Sequence, residues 1–246
     1  MNTNNLITVL GAGCWGATLA NILAENNLTV YLWDNNINFL EILAQTRQNL
    51  NFSEAFRLNE RINIEFDLTT AIRKSDLILI VLPTQSIRKI LSGLDKKIFF
   101  NKKIINASKG IEFTSLKRVS ECLNELFELD IDNNYCILTG PSHAEETIQK
   151  KPTSLIAASR NIELAEIAQK IFNTEYLRIY TSIDYIGAEL GGALKNVIAI
   201  AAGICAGLDL GDNARAALIT RGLAEITRFG VAFGANERTF SGLSGL

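Results

Sequence analysis

The chain has 246 residues, a formal net charge of −2 and a single histidine. Hydrophobic residues make up 48% and charged residues 20%, a balance that excludes a disordered chain. The basic residues are scattered, so no electrostatic footprint for nucleic acid stands out.

The N-terminal stretch Met1-Asn2-Thr3-Asn4-Asn5 lacks the basic start and apolar core of a signal peptide. A first strand is expected at 6–10, and it runs into the turn Gly11-Ala12-Gly13-Cys14-Trp15-Gly16. This is G-x-G-x-x-G in the place where a dinucleotide-binding unit needs it. The first glycine permits the tight turn, the second lets backbone approach a pyrophosphate, and the third lets the next helix pack on the strand. The helix over 17–24 would point its N-terminal amides at the phosphates. A second strand at 29–33 ends at Asp34 and completes the unit. The competing reading is a glycine turn that binds nothing.

Further strands are expected at 62–66, 77–82, 103–107, 135–139, 154–158 and 177–180. The run 77–82 shows no alternation, as for a strand buried on both faces of a parallel sheet. Helical stretches separate most strands, so the expected architecture is α/β, a Rossmann-type doubly wound sheet. After residue 182 the strands stop. A long helix rich in Ala, Gly and Ile is expected at 186–207, and Asp212 reads as the N-cap of a second helix from 213 to about 230. The expected division is a dinucleotide-binding domain at 1–182 and an all-helical domain at 183–246. The longest apolar run, Val197 to Leu208, falls short of the roughly 20 residues of a spanning helix, so no membrane insertion is expected. Cys14, Cys122, Cys136 and Cys205 show no metal-binding spacing and His143 stands alone. No metal site is expected, and the cysteines read as free thiols in a cytoplasmic protein.

Ligands of open α/β sheets lie outside the carboxyl ends of the strands. One such end carries Pro83-Thr84-Gln85, another Ser108-Lys109-Gly110, and a third Gly140-Pro141-Ser142-His143-Ala144-Glu145-Glu146. Pro141 suits a first helical turn, which would turn free amides and the Ser142 hydroxyl to the same edge. Lys109 could reach a phosphate or a carbonyl, or be an ordinary loop lysine. On the long helix, Lys195 leans over Gly191 and Gly192, which leaves bare helix surface with room for a ligand. The two glycines cost roughly 1 kcal/mol each against alanine, so ligand access or close packing must offset them. In the packing alternative Lys195 snorkels to water. Reduction of a carbonyl needs a proton donor for the forming alkoxide. Lys195 is the candidate, with its pKa lowered by a nearby Lys109 and by desolvation. His143 is the other candidate, or it only lines the pocket.

These residues resemble bacterial NAD(P)-dependent glycerol-3-phosphate dehydrogenase. The matching segments are GAGCWGATLA (11–20), VLPTQSIR (81–88), ASKGIE (107–112), GPSHAEE (140–146) and the long block 187–230. The resemblance implies reversible reduction of dihydroxyacetone phosphate to sn-glycerol 3-phosphate with NAD or NADP, feeding glycerophospholipid synthesis. It implies Lys195 as catalytic acid/base and Lys109 as a contact to both substrate and cofactor. Gly140 and Ser142 would touch substrate, and Ala144 cofactor. Cys14 and Trp15 take cofactor-contacting positions of the glycine turn, beside Gly11, Gly13 and Gly16. Asn35 falls near the adenosine ribose.

Two departures bear on function. Asp34 can accept hydrogen bonds from a ribose 2′-OH and would repel a 2′-phosphate, while Asn35 and Asn36 add no positive charge. NADH is therefore expected over NADPH. The family also continues past the Gly-Leu-Ser-Gly-Leu segment at 242–246 with further substrate-site residues. A C-terminally truncated chain is expected, with apolar faces of both late helices exposed and dimers or aggregation favoured. The alternatives are a catalytically inactive cofactor-binding remnant and a related β-hydroxyacid or 6-phosphogluconate dehydrogenase, against which the 187–230 block argues.

Overall fold

The computed structural model describes residues 5–52 and 56–244. Met1–Asn4, on which most of the leader reading rests, and Gly245–Leu246 lie outside the described residues.

The first half alternates strand and helix. In order come β1 (Leu6–Leu10), α1 (Cys14–Glu25), β2 (Thr29–Trp33), α2 (Ile37–Thr46), β3 (Gln48–Asn49), β4 (Phe56–Arg57), β5 (Ile62–Ile64) and α3 (Leu68–Arg73). Then follow β6 (Leu77–Ile80), α4 (Thr84–Leu91), β7 (Lys103–Asn106), α5 (Val119–Phe127), α6 (Ile131–Asn134), β8 (Tyr135–Thr139) and α7 (Ala144–Ile148). The chain continues through β9 (Thr153–Ala158), α8 (Ile162–Phe172), β10 (Leu177–Ser182), α9 (Tyr185–Gly207) and α10 (Gly211–Ala232).

All eight expected strands form one sheet, in the order β10-β9-β8-β7-β6-β1-β2-β5. From β5 through β8 this is the doubly wound order, with its switch point between β1 and β6. Strand β6 is Leu-Ile-Leu-Ile with its last three residues fully covered, because helices pack on both faces. It ends at Ile80, short of the expected 82, so Val81 and Leu82 lead into Pro83 as a strand-end loop. The sheet departs from a purely parallel reading at one step, where β8 pairs antiparallel with β9. The short chain between those strands, which holds only α7, makes a return rather than a crossover. The two-residue ladder of β3 and β4 was not expected.

The two late helices form as expected, with changed ends. Asp212 is not the N-cap of α10, which begins at Gly211; Asp212 lies in the first turn and pairs with Arg215 at 2.6 Å. Helix α9 is 23 residues long and, by length and composition alone, apolar enough to cross a membrane, because the helix extends well before the apolar run at 197–208. Its first two turns, however, are packed on the sheet, with Tyr185 and Gly187 through Gly192 buried. Asp184 caps it by accepting from the Gly187 amide at 3.0 Å, and accepts also from the Asn236 amide at 2.9 Å. A small second core of Leu190, Ile226, Ala235 and Phe240 joins α9, α10 and the 3-10 turn at Glu237–Ser241. Beyond it the apolar faces are open, as expected: Val197, Ile200 and Ile204 on α9 and Phe229 and Val231 on α10 are exposed.

Candidate active site

The glycine turn stands where β1 ends. Gly11 has φ +112°, and a side chain there would sit 2.5 Å from the Val81 carbonyl oxygen. A Cβ on Gly16 would sit 1.9 Å from the Gly11 carbonyl oxygen, which is the close helix–strand packing the third glycine allows. Gly13 differs: nothing lies within 4 Å of where its Cβ would be. Open space therefore faces backbone at the start of α1, where unpaired amides point outward.

That space belongs to a cavity of about 600 Å³ lined by Gly11, Gly13, Trp15, Gly16, Asp34, Asn35, Ser108, Lys109 and Ser142, among others. Asp34 closes it on one side. Its Oδ2 accepts from the Ala12 amide at 2.8 Å and its Oδ1 from the Asn36 amide at 3.0 Å, so the carboxylate braces the turn. Two buried polar atoms here have no partner among the described residues, the indole Nε1 of Trp15 and the hydroxyl of Ser108. Buried polar groups are normally satisfied. The open Gly13 face, the braced acid and these orphaned atoms fit a dinucleotide. Cys14 turns its thiol to the Asn51 carbonyl at 3.2 Å, and burial with the nearby Glu145 raises the thiol pKa.

The other end of the site is built on one backbone oxygen. Lys109 follows β7, Gly140 follows β8 with φ +145°, and Lys195 stands on α9. The Gly140 carbonyl accepts from Lys109 Nζ at 3.2 Å and from Lys195 Nζ at 3.0 Å. Lys109 also donates to the Ser142 hydroxyl at 2.7 Å. The Thr84 hydroxyl donates to the Lys109 carbonyl at 2.9 Å and fixes the loop. Burial, and then the charge of Lys195, bring the Lys109 pKa down to about 8. Burial lowers Lys195 as well. The sequence implied that Lys109 and desolvation together lower Lys195; burial does lower it, and the repulsion, mutual between the two ammonium groups, adds to the shift of Lys109, the more deeply enclosed of the two.

Two further expectations are corrected. Gly191 and Gly192 do not leave ligand space under Lys195. A Cβ on Gly191 would meet the Ser244 carbonyl oxygen at 2.3 Å, and one on Gly192 the Thr139 hydroxyl at 2.6 Å. The glycines thus serve close packing, yet Lys195 points into the site rather than to water. Pro141 is not in a first helical turn, since α7 starts only at Ala144. His143, the other candidate donor, has a side chain 70% exposed and 3.2 Å from Glu145. Ala144 is buried at the start of α7. Lys195 borders a second, apolar groove of about 500 Å³ with Pro141, Ile198 and Leu223.

Sequence reasoning did not single out Glu189, Tyr135, Asn106 and Arg118, which lie in one buried network behind the lysines. The single acidic residue of the largely apolar α9 was the available signal. No cluster of three or more potential metal-binding side chains exists among the described residues.

The chain is similar to known proteins in both sequence and fold. Residues 6–165 match the family description "NAD-dependent glycerol-3-phosphate dehydrogenase N-terminus", and residues 184–246 match its C-terminus counterpart. A protein of Staphylococcus epidermidis named glycerol-3-phosphate dehydrogenase [NAD(P)+] is 43% identical over 240 residues, which is 98% of this chain and 72% of that protein. One of Staphylococcus haemolyticus with the same name is 44% identical over the same shares. The crystal structure of a glycerol-3-phosphate dehydrogenase from Coxiella burnetii aligns with a TM-score of 0.89 at 32% identity, covering 98% of this chain and 73% of that one.

Proposed function

The chain belongs to the NAD-dependent glycerol-3-phosphate dehydrogenase family, and we propose that it reversibly reduces dihydroxyacetone phosphate to sn-glycerol 3-phosphate. One observation carries the assignment of roles: two lysine ammonium groups meet on the Gly140 carbonyl at the carboxyl edge of the sheet, beside the glycine-turn cavity.

Gly11, Gly13 and Gly16 with the first amides of α1 would hold the pyrophosphate of NAD or NADP. Asp34 would take the adenosine ribose, with Asn35 beside it, and Cys14, Trp15, Lys109 and Ala144 are the remaining cofactor contacts. NADH is the preferred form, because the Asp34 carboxylate opposes a 2′-phosphate. A nicotinamide held by these residues would be the source of hydride for C2 of the substrate. Lys195 Nζ then gives its proton to the oxygen at C2, so that ketone, hydride and proton become a secondary alcohol. A lowered pKa makes that ammonium a better acid near neutral pH. Lys109 and the Ser142 hydroxyl, already 2.7 Å apart, orient the substrate together with Gly140. Residues 1–182 act as the cofactor unit and 183–246 as the unit that brings Lys195 to it.

The product carries the phosphorylated glycerol backbone of glycerophospholipids, so the reaction would supply their synthesis in the cytoplasm. The exposed apolar residues of α9 and α10 favour pairing of two copies.

The test is NADH oxidation by the purified chain with dihydroxyacetone phosphate, with and without Lys195→Ala. Turnover lost in the variant, with NADH binding retained, supports the assignment. NADH binding by the unsubstituted chain without substrate-dependent oxidation would instead favour a cofactor-binding protein without catalysis.

A further inference from the structure

Glu189 is 7% exposed, on the part of α9 that packs on the sheet. Its carboxylate accepts four hydrogen bonds: from the Ser120 amide at 3.0 Å, the Ser120 hydroxyl at 2.6 Å, the Tyr135 hydroxyl at 2.6 Å and Arg118 Nη1 at 3.0 Å. The chain of contacts goes on through Tyr135. Its hydroxyl accepts from Asn106 Nδ2 at 3.0 Å. Asn106 in turn grips the next turn of backbone, accepting from the Ser108 amide at 3.0 Å and donating to the Ser108 carbonyl at 3.3 Å.

The placement of these three residues is the point. Asn106 ends β7, just before the loop that carries Lys109. Tyr135 opens β8, the strand that delivers Gly140. Glu189 lies on α9 upstream of Lys195. Each segment that brings a group to the Gly140 carbonyl is therefore tied to the other two through one buried carboxylate. Stability alone does not call for such a group, because a well-packed apolar replacement of a buried ion pair is often as stable. What a fully hydrogen-bonded carboxylate supplies is one allowed register between the elements it joins.

We propose that Glu189, Tyr135 and Asn106 are positioning residues, which lock α9 to the ends of β7 and β8 so that Lys109 and Lys195 converge on Gly140. The kinetic part of this inference rests on the reaction proposed above; the geometric part does not.

Tyr135→Phe is the discriminating variant. It keeps the ring packed edge-on against Tyr185, at 5.9 Å between centroids, and removes only the hydroxyl that joins Glu189 to Asn106. Five quantities are read: melting temperature, NADH affinity, kcat and KM for dihydroxyacetone phosphate, and the pH dependence of acetic anhydride labelling at Lys109 and Lys195. The expected melting temperature falls by about 3–6 °C. NADH affinity falls less than kcat, since the glycine turn lies apart from the network and only the Ser108–Lys109 side of the cofactor cavity shifts. The kcat falls by about 10–100-fold, as misplacement of reacting groups does, with a smaller change in KM. The labelling midpoint of Lys109 rises toward the ordinary lysine range as it parts from Lys195. Glu189→Gln, which keeps shape and one acceptor oxygen, gives the same pattern more weakly. An unchanged Lys109 midpoint in a folded Tyr135→Phe chain overturns the proposal, whatever the activity. Absence of turnover in the unsubstituted chain would count against the reaction, and the labelling would still decide the positioning role.

Discussion

Lys109 and Lys195 donate to the same acceptor, the Gly140 carbonyl oxygen, at 3.2 and 3.0 Å. Two cations this close cannot both hold their protons at the ordinary cost. Burial is the larger cause of the depressed Lys109 pKa, and Lys195 the smaller. Lys195→Ala removes the smaller cause only. The Lys109 pKa should therefore rise above about 8 while staying below the ordinary lysine value of 10.5. The pH-dependent labelling rate of Lys109 reads this directly, and an identical midpoint in both chains would deny the interaction.

The same group sets a stability trend with pH. The folded pKa of Lys109, about 8, lies below its unfolded value of 10.5. Between those values the unfolded chain binds more protons than the folded one, so stability rises with pH across that window. The cost of burying the charged amine is present in full below pH 8 and gone above 10.5. Relative to Lys109→Met, the unsubstituted chain should gain stability from pH 8 to 10.5 in urea titrations; a constant difference would show that this amine does not titrate there.

The three glycines of the turn should separate folding from binding. Gly16→Ala drives a methyl into the Gly11 carbonyl oxygen, 1.9 Å away, and should cost about 1–3 kcal/mol or more in stability. Gly13→Ala meets nothing within 4 Å and should change stability by less than about 1 kcal/mol. Its methyl would occupy the face proposed for the pyrophosphate, so NADH affinity should fall by about tenfold or more, the loss of roughly 1.4 kcal/mol. Fluorescence titration of a well-folded Gly13→Ala chain with unchanged NADH affinity would remove the turn from the cofactor site.

Asp34 has two jobs that one substitution can part. Its oxygens accept from the Ala12 and Asn36 amides, and its charge faces the cavity. Asp34→Asn keeps one acceptor oxygen and loses the charge. Preference for NADH over NADPH in kcat/KM should weaken, while stability falls by only about 0.5–1.5 kcal/mol for the lost hydrogen bond. An unaltered cofactor ratio would mean that some other residue selects the cofactor.

How much of this was legible depends on what hydropathy and residue type encode. All eight sheet strands are readable because continuous apolar runs such as 77–80 are buried on both faces. The antiparallel pairing of β9 with β8 is not, since strand direction leaves no trace in apolar pattern. Two-residue β3 and β4 are too short to show alternation. Lys109 and Lys195 stand out by position, one at a strand end and one over two glycines. Their shared partner is a backbone carbonyl, which every residue carries, so sequence could not name it. Glu189 was visible as an anomaly, but its partners Ser120 and Tyr135 lie on other elements, brought near only by the fold.

The helix that carries Lys195 gives the last prediction. Gly192 is covered by Thr139, whose hydroxyl would be 2.6 Å from an added Cβ and has no hydrogen-bond partner among the described residues. Thr139 ends β8, next to Gly140. Gly192→Ala should therefore push α9 off the strand end at the point where Lys195 reaches across. The expected cost is about 1–3 kcal/mol in stability, as for other overpacked contacts. Thr139→Ala alone removes a hydroxyl that satisfies no bond, so its own cost should be small, on the order of 1 kcal/mol for the lost methyl contact. Combined in one chain, Thr139→Ala makes room for the new methyl. The double variant should then be more stable than the sum of the single losses predicts, by about 0.5–3 kcal/mol of coupling. Turnover should recover with it, because the recovered contact is the one that sets the reach of Lys195 to Gly140. Strictly additive losses in urea unfolding would show that α9 relaxes elsewhere, and that the glycine pair is not what holds Lys195 in place.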